Sequence, residues 1–210
     1  MLNPVIIFGA KAIGALALDI FRSHDIVVYG FLDDDKTLHG TELGEIPILG
    51  ATDDETYLKL IGKKCDAFVA SDETKLKKYL AEFLVERRKV MPINAVHAQA
   101  VVSSMAILKN GSLVGPGAII QPKAELGNHC IVNAKAVIES GAKLGDYVQV
   151  GTGAIIGQDV VVEEGAYIGS GAIVVGGITI GKNASVGAGS LVIETVKAGT
   201  TVFGNPAKKV

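Results

Sequence analysis

The sequence predicts an α/β, Rossmann-like N-terminal domain over residues 1–94, followed over 95–210 by an all-β left-handed parallel β-helix of hexapeptide repeats. Three observations carry this. Apolar strand runs alternate with amphipathic segments up to residue 94, the pattern of βαβ units over a parallel sheet. From Val102 to Val192 one aliphatic residue recurs every six positions without a miss. Glycine is abundant, 26 residues against 5% aromatics and no Trp, and most of it lies after position 110.

In the first domain Val5 to Phe8 reads as a buried strand. Ala12 to Arg22 reads as a helix with Ile13, Leu16, Leu18, Ile20 and Phe21 on its apolar face. Ile26 to Phe31, Ile46 to Leu49 and Ala67 to Ala70 read as further strands. Thr74 to Arg87 carries Leu76, Tyr79, Leu80, Phe83 and Leu84 at spacings of three and four and is a second helix. Asp53 to Glu55 reads as a helix start and Lys75 to Lys78 as a solvated face.

The six-residue period fits neither an amphipathic helix nor a half-buried hairpin. It fits short parallel strands joined by tight corners, three strands to a coil of a triangular prism. The series Val102, Leu108, Val114, Ile120 and onward points inward, with small residues such as Ala118, Cys130 and Ala136 two positions earlier. Glycines directly after it, among them Gly115, Gly151 and Gly169, are expected at corners whose dihedrals a Cβ opposes. An open coil exposes core and unpaired edges, so both prism ends need covers. The α/β domain is expected to cover the first and an irregular tail from Lys197 the last. Flat prism faces invite packing about a threefold axis, and a homotrimer is expected.

Composition narrows the partners. A net charge of −2 with interspersed signs offers no basic surface for nucleic acid. No apolar run approaches the roughly 18 to 20 residues of a membrane span, and the start lacks the basic flank of a secretory signal. A cytoplasmic protein is expected. Cys65 and Cys130 suggest buried thiols and no zinc site or disulfide scaffold.

The repeat, the start F-G-A-K-A-I-G, the F-L-D-D after the second strand, the V-H-A-Q-A entering the repeats and the closing F-G-N-P-A-K-K-V together resemble one family. It is the sialic acid O-acetyltransferases and nucleotide-4-amino-sugar N-acetyltransferases, which are hexapeptide-repeat acyltransferases. The resemblance covers essentially the whole chain. It implies CoA-dependent acyl transfer, with acetyl-CoA as donor and no metal, to an amino or hydroxyl group of a nucleotide-linked sugar or sialic acid. The alternative is a catalytically altered or inactive sugar-nucleotide-binding homologue acting as a scaffold. A γ-carbonic-anhydrase-like hydratase on the same prism needs three histidines, and the repeats contain only His129.

For the substrate, Gly9, Ala10, Lys11 and Gly14 join the first strand to the first helix, where backbone N–H groups and a helix N-terminus face phosphates. Lys11 occupies the second glycine position of the dinucleotide fingerprint, which argues against a nicotinamide dehydrogenase. It either meets a diphosphate or is a solvated turn lysine. Asp33 and Asp34 stand where an acid accepts from a ribose or base, or else form a turn cluster.

For catalysis, the resemblance implies an asparagine, a glutamate and two histidines, the first taking a proton from the attacking group and the second contacting the thioester region. On this chain the asparagine is Asn133 and the glutamate Glu139, while the histidine positions hold Ser140 and Gln149. Serine has no useful basicity without a partner base, and glutamine transfers no proton. His129 is either a substitute base or an exposed corner residue or cap. For the CoA donor, the small residues Gly157, Gly176 and Gly177 suit a pantetheine arm. The tail Gly204, Asn205, Pro206, Ala207 and Lys208 matches the family's closing motif, whose lysines meet CoA phosphates or form an ordinary basic terminus.

Overall fold

A computed structural model describes residues 3–210 of the chain. Met1 and Leu2, which open the segment examined for a secretory signal, lie outside the described residues. The chain divides into two compact units, Met1–Ala98 and Gln99–Val210.

The first unit is built on strands β1 (Val5–Phe8), β2 (Val28–Leu32), β3 (Glu42–Leu43), β4 (Ile46–Gly50) and β5 (Asp66–Val69), in the order β3-β4-β2-β1-β5. β1 pairs in parallel with β2 and β5, β2 pairs in parallel with β4, and β3 is antiparallel to β4. β1 is buried along its whole length, as a central parallel strand covered on both faces must be. Helix α1 (Ala12–Arg22) has the bounds the periodicity predicts, and α3 (Thr74–Arg88) runs one residue further than predicted. Between them the short α2 (Glu55–Leu58) is capped by Asp54, whose side chain accepts from the Thr56 N–H. Phe21 of α1 meets Phe68 of β5 edge-on at 5.7 Å, the arrangement aromatic quadrupoles prefer.

Two helix faces differ from expectation. α1 buries Gly14 and Ala17 along with Leu18, Ile20 and Phe21, while Ile13 and Leu16 are half-buried. α3 buries Lys77, Leu80, Ala81 and Leu84, a stripe at i, i+3, i+4 and i+7. The competing stripe of Leu76 and Tyr79 is exposed, and Tyr79 stacks on Phe83 with Arg87 over the Phe83 ring. Lys77 therefore belongs to the covered side and not to a solvated face. A segment as short as Ala95–Val96 stays with the first unit because it packs on α1, where His24 Nε2 lies 2.8 Å from the Val96 carbonyl oxygen.

The second unit is a parallel β-helix of two-residue strands. Its three faces are named here by their strands. Face A holds Val101–Val102, Ile119–Ile120, Val137–Ile138, Ile155–Ile156, Ile173–Val174 and Leu191–Val192. Face B runs from Ile107–Leu108 to Thr179–Ile180, and face C from Leu113–Val114 through Ser185–Val186 to the C-terminal hairpin. Neighbouring strands pair in parallel at a repeat of eighteen residues, as in Ile119↔Val137↔Ile155. From Val114 to Val192 every member of the six-residue series is buried; Val102 and Leu108, in the first coil, are half-buried.

The corner glycines have a different cause from the one expected. From Leu108 to Val186 positive φ falls three residues after each inward aliphatic, at Gly117, Lys123, His129, Lys135, Gly141 and Tyr147, for example. The glycine immediately after the aliphatic is required by packing between coils: a Cβ on Gly169 would stand 2.5 Å from the Ala188 nitrogen of the next coil. The tail is also more regular than expected. Thr201–Gly204 and Ala207–Lys209 form an antiparallel hairpin that extends face C over the last coil. That coil is short, since Ile180↔Val196 and Val186↔Val202 are sixteen residues apart and not eighteen.

The two kinds of corner glycine separate in one experiment. Gly169→Ala places a methyl group against backbone and is expected to cost about 1–3 kcal/mol. Gly171→Ala meets nothing within 4 Å and pays only for its φ of +67°, about 1 kcal/mol. Denaturant melts of the two variants give the comparison, and equal losses would contradict it.

Candidate functional site

In the first unit a cleft of about 410 Å³ opens at the C-terminal ends of the parallel strands. α1 leaves the sheet toward β2 and the chain later returns to β5 on the other side of β1. The cleft thus lies at the point where the strand order reverses, the usual ligand crevice of an open α/β sheet. Its walls include Gly9, Lys11 and Ile13 from the first turn, Asp33, Asp34 and Thr52 from the turns after β2 and β4, and Ala70, Ser71 and Asp72 after β5.

Sterics shape the turn after β1. Gly9 has φ +106°, and a Cβ there would lie 2.5 Å from the Ala70 carbonyl oxygen. A Cβ on Gly14 would collide with the Gly9 carbonyl oxygen, so only glycine lets α1 start this close to β1. Lys11 is the N-cap of α1 and makes no side-chain cap hydrogen bond. Its side chain is exposed, and the positive end of the helix macrodipole faces the cleft, a favourable place for an anion.

The acids act first on their own backbone. Asp33, 8% exposed, accepts from the Ala10 N–H at 2.8 Å through Oδ2 and from the Asp35 N–H at 2.9 Å through Oδ1. Asp34 Oδ1 accepts from the Thr52 N–H at 2.9 Å and from its hydroxyl at 2.8 Å. Asp35 accepts from the Thr37 hydroxyl and N–H, and these bonds hold its carboxyl below the usual carboxylate range. The acids after β2 thereby tie three turns together, and Asp33 and Asp34 still face the cleft.

In the prism the sequence-predicted residues separate by corner. Glu139, Ser140, Gly157, Gly176 and Gly177 share the corner between faces A and B. There Ser140 Oγ donates to Gln121 Oε1 at 3.1 Å, which also accepts from the Ser140 N–H. Glu139 Oε2 accepts from the Gln158 N–H at 2.9 Å, and Gln158 O accepts from the Gly177 N–H at 2.8 Å. The result is a polar ladder running up one edge. Asn133 lies on the corner between faces C and A and donates from Nδ2 to the Val150 carbonyl at 3.0 Å. Gln149 stands on a strand of face C, paired with Tyr167 of the next coil.

His129 is on the third corner, opposite face A. It is not the exposed corner residue expected: it is 4% exposed, takes φ +59° and is covered by Tyr147, on which it stacks with ring centroids 5.1 Å apart. Gly111 of the preceding coil leaves the room its ring fills. At the C-terminal end the Gly204 N–H donates to Ser190 Oγ, and Asn205-Pro206, with Ala207, forms the bend of the hairpin. Lys208 and Lys209 are exposed and line a recess of about 330 Å³ that also includes Lys197. Among the described residues no group of three or more His, Cys, Asp or Glu is placed to hold a metal, and no helix is long and apolar enough to cross a membrane.

The family model for bacterial transferase hexapeptide (six repeats) matches residues 135–170 and 159–194, the regular coils just described. Residues 135–194 match the hexapeptide repeat. Solved structures extend the likeness to both units of the chain. PerB from Caulobacter crescentus, in complex with CoA and GDP-perosamine, is 28% identical with a TM-score of 0.90, over 100% of this chain and 98% of that one. The acetyltransferase domain of PglB from Neisseria gonorrhoeae is 25% identical with a TM-score of 0.90, over 100% of each chain. WeeI from Acinetobacter baumannii is 25% identical with a TM-score of 0.87, over 99% of each chain. No curated protein matches the sequence.

Several residues of the candidate site carry no local signal in the sequence. Thr52 is lone and unpatterned in sequence, yet it orients Asp34. Gln121 meets Ser140 across nineteen residues, and Tyr167 stands beside Gln149 across eighteen. The coil length alone would have exposed the last pair, since a residue's neighbours on one face lie eighteen positions away.

Removing the Asp33 carboxylate leaves the Ala10 and Asp35 N–H groups short of acceptors. Asp33→Ala is expected to lower stability by about 1.5–3 kcal/mol, the range for hydrogen bonds to a charged group. Thermal or denaturant unfolding checks this; an unchanged midpoint would show that water replaces the carboxylate at no cost.

Proposed function

We propose that the chain transfers an acetyl group from acetyl-CoA to the amino group of a nucleotide-linked sugar. The observation that carries this reading is the full-length likeness to PerB, whose structure contains CoA and GDP-perosamine. The strand-end cleft supports it from this chain's own residues, with an α1 N-terminus and Lys11 for a diphosphate and Asp33 and Asp34 for a ribose or base. For the donor, the A/B corner offers the small residues Gly157, Gly176 and Gly177 beside Glu139 and Ser140, and the hairpin offers Lys208 near Lys197. Soluble action in the cytoplasm suits a reaction between acetyl-CoA and a nucleotide sugar.

The trimer belongs to this reading, because the assigned residues are split between corners of one chain. Outward-facing residues of face A are aliphatic in every coil: Val101, Ile119, Val137, Ile155, Ile173 and Leu191. The other faces carry charged or polar residues at the same position, such as Glu125 and Lys143 on B and Gln149 and Ser185 on C. Such an unbroken apolar stripe favours burial against a second copy. Both corners beside face A hold assigned residues, so copies packed there would bring Asn133 of one near Glu139 of another.

A second reading, sugar-nucleotide binding without catalysis, is favoured by Ser140 and Gln149 standing where the resembled enzymes carry histidine. The two readings part in one assay. Acetyl-CoA is incubated with a panel of nucleotide-linked amino sugars, and product is followed by mass spectrometry alongside calorimetric binding of each ligand. Acetylated product is the expected outcome; binding of the nucleotide sugar with no product and no CoA binding would leave the second reading standing. Lys11→Glu is expected to weaken nucleotide-sugar binding about tenfold, roughly 1.4 kcal/mol, in the same calorimetry. Ile173→Lys puts a charge in the apolar stripe and is expected to convert a trimer to monomer on size-exclusion chromatography with light scattering, the wild-type chain running as trimer.

A further inference from the structure

The strand-end cleft of the first unit has two unlike ends. On the β2 side its wall carries Asp33, Asp34 and Thr52, and the two acids brace the turns there. On the β5 side the wall is Ser71 and Asp72 from the turn after the strand, Leu76 and Leu80 from α3, and Ile13 from α1. Leu80 is buried, but Leu76, one turn nearer the start of the helix, is 38% exposed. Apolar surface is thus left open on a cleft wall. Asp72 stands on the same wall, directly ahead of the Glu73 N-cap of α3. The Glu73 N–H donates to Ser71 Oγ at 3.1 Å, which fixes the turn that carries Asp72.

We infer that the β5 end takes the base of the nucleotide, that this base is guanine, and that Asp72 selects it. The inference rests on the nucleotide-sugar reading above and specifies its base. A base is flat and apolar on its faces, which suits the aliphatic wall of Ile13, Leu76 and Leu80, while its edge needs polar partners. Guanine presents two donors side by side on its Watson–Crick edge, N1–H and the N2 amino group. One carboxylate accepts both through its two oxygens, a charge-assisted bidentate pair. The other common bases do not match. Uracil and thymine have a single N3–H between two carbonyl oxygens, so the second carboxylate oxygen would meet a carbonyl oxygen. Adenine and cytosine place an amino group beside a ring nitrogen that is itself an acceptor, with the same repulsion. Each carboxylate oxygen has two lone pairs, so a partner of Asp72 within the fold leaves room for the base. With the base at this end and the diphosphate at the α1 N-terminus, Asp33 and Asp34 are left to the ribose hydroxyls.

The experiment is calorimetric titration of the full chain with guanosine, uridine, adenosine and cytidine diphosphates. Guanosine diphosphate is expected to bind about ten- to a hundredfold more tightly than uridine diphosphate, the range for a bidentate base contact. Asp72→Asn replaces two acceptors by one acceptor and one donor, which suits xanthine, whose N1–H lies beside a C2 carbonyl. That variant is expected to lose the preference for guanosine diphosphate and to gain affinity for xanthosine diphosphate, an exchange that a merely structural role of Asp72 would not produce. Three results overturn the inference and leave the nucleotide-sugar reading intact: another of the four diphosphates binding as tightly as guanosine diphosphate, a guanine preference that survives in Asp72→Asn, or a loss of that preference with no gain for xanthosine diphosphate. If the variant does not fold, the order of affinities in the wild-type chain decides by itself. Binding of no nucleoside diphosphate at all overturns both readings together.

Discussion

The close stacking of eighteen-residue coils is the constraint on which the rest of the structure depends. Parallel strands sit about 4.8 Å apart, and at that distance a residue of one coil faces the backbone of the next. Where the following corner comes nearest, as at Gly151 and Gly169, a Cβ would lie about 2.5 Å from a main-chain nitrogen. The last coil, two residues shorter, still pairs in parallel, so a change of coil length is absorbed at a corner while the stacking of the ladders is kept. The stacking is thus the packing requirement, and the aliphatic column at its centre is the apolar burial that stabilises each coil against its chain entropy.

That constraint also dictates where polar side chains go. Each corner turns the backbone away from the ladders, and its N–H groups need acceptors. Gln121, Glu139 and Glu163 supply them to the next coil, at Ser140, Gln158 and Lys182. A residue assigned to catalysis by resemblance, Glu139, is in this chain first a corner acceptor. The same holds in the first unit, where Asp33 and Asp34 look like ribose ligands by position and are also the braces that hold the turns around the cleft. A functional carboxylate and a structural one are not exclusive, since each oxygen has two lone pairs.

His129 shows how corner geometry separates chemistry from sequence proximity. It lies ten residues before Glu139, yet successive hexads place the two on different corners of the triangle. Its left-handed φ and its stack on Tyr147 make it part of the wall. Gln121 and Tyr167, far away in sequence, are by contrast neighbours of Ser140 and Gln149.

The sequence by itself determined the two architectures, the strand and helix positions of the first unit to within a few residues, and the coil repeat. These follow from periodicities, which a chain must display wherever one face is buried. Tertiary structure decided which of two stripes on α3 is covered, because Leu76, Tyr79 and Phe83 are as regularly spaced as Lys77, Leu80 and Leu84. It decided that the tail is a hairpin on a shortened coil, since two missing residues leave no mark in a local pattern. It decided, too, what Asp33, Glu139 and His129 touch. A titratable side chain takes its role from partners brought to it across the fold, and those are specified by packing and not by the residues beside it in the chain.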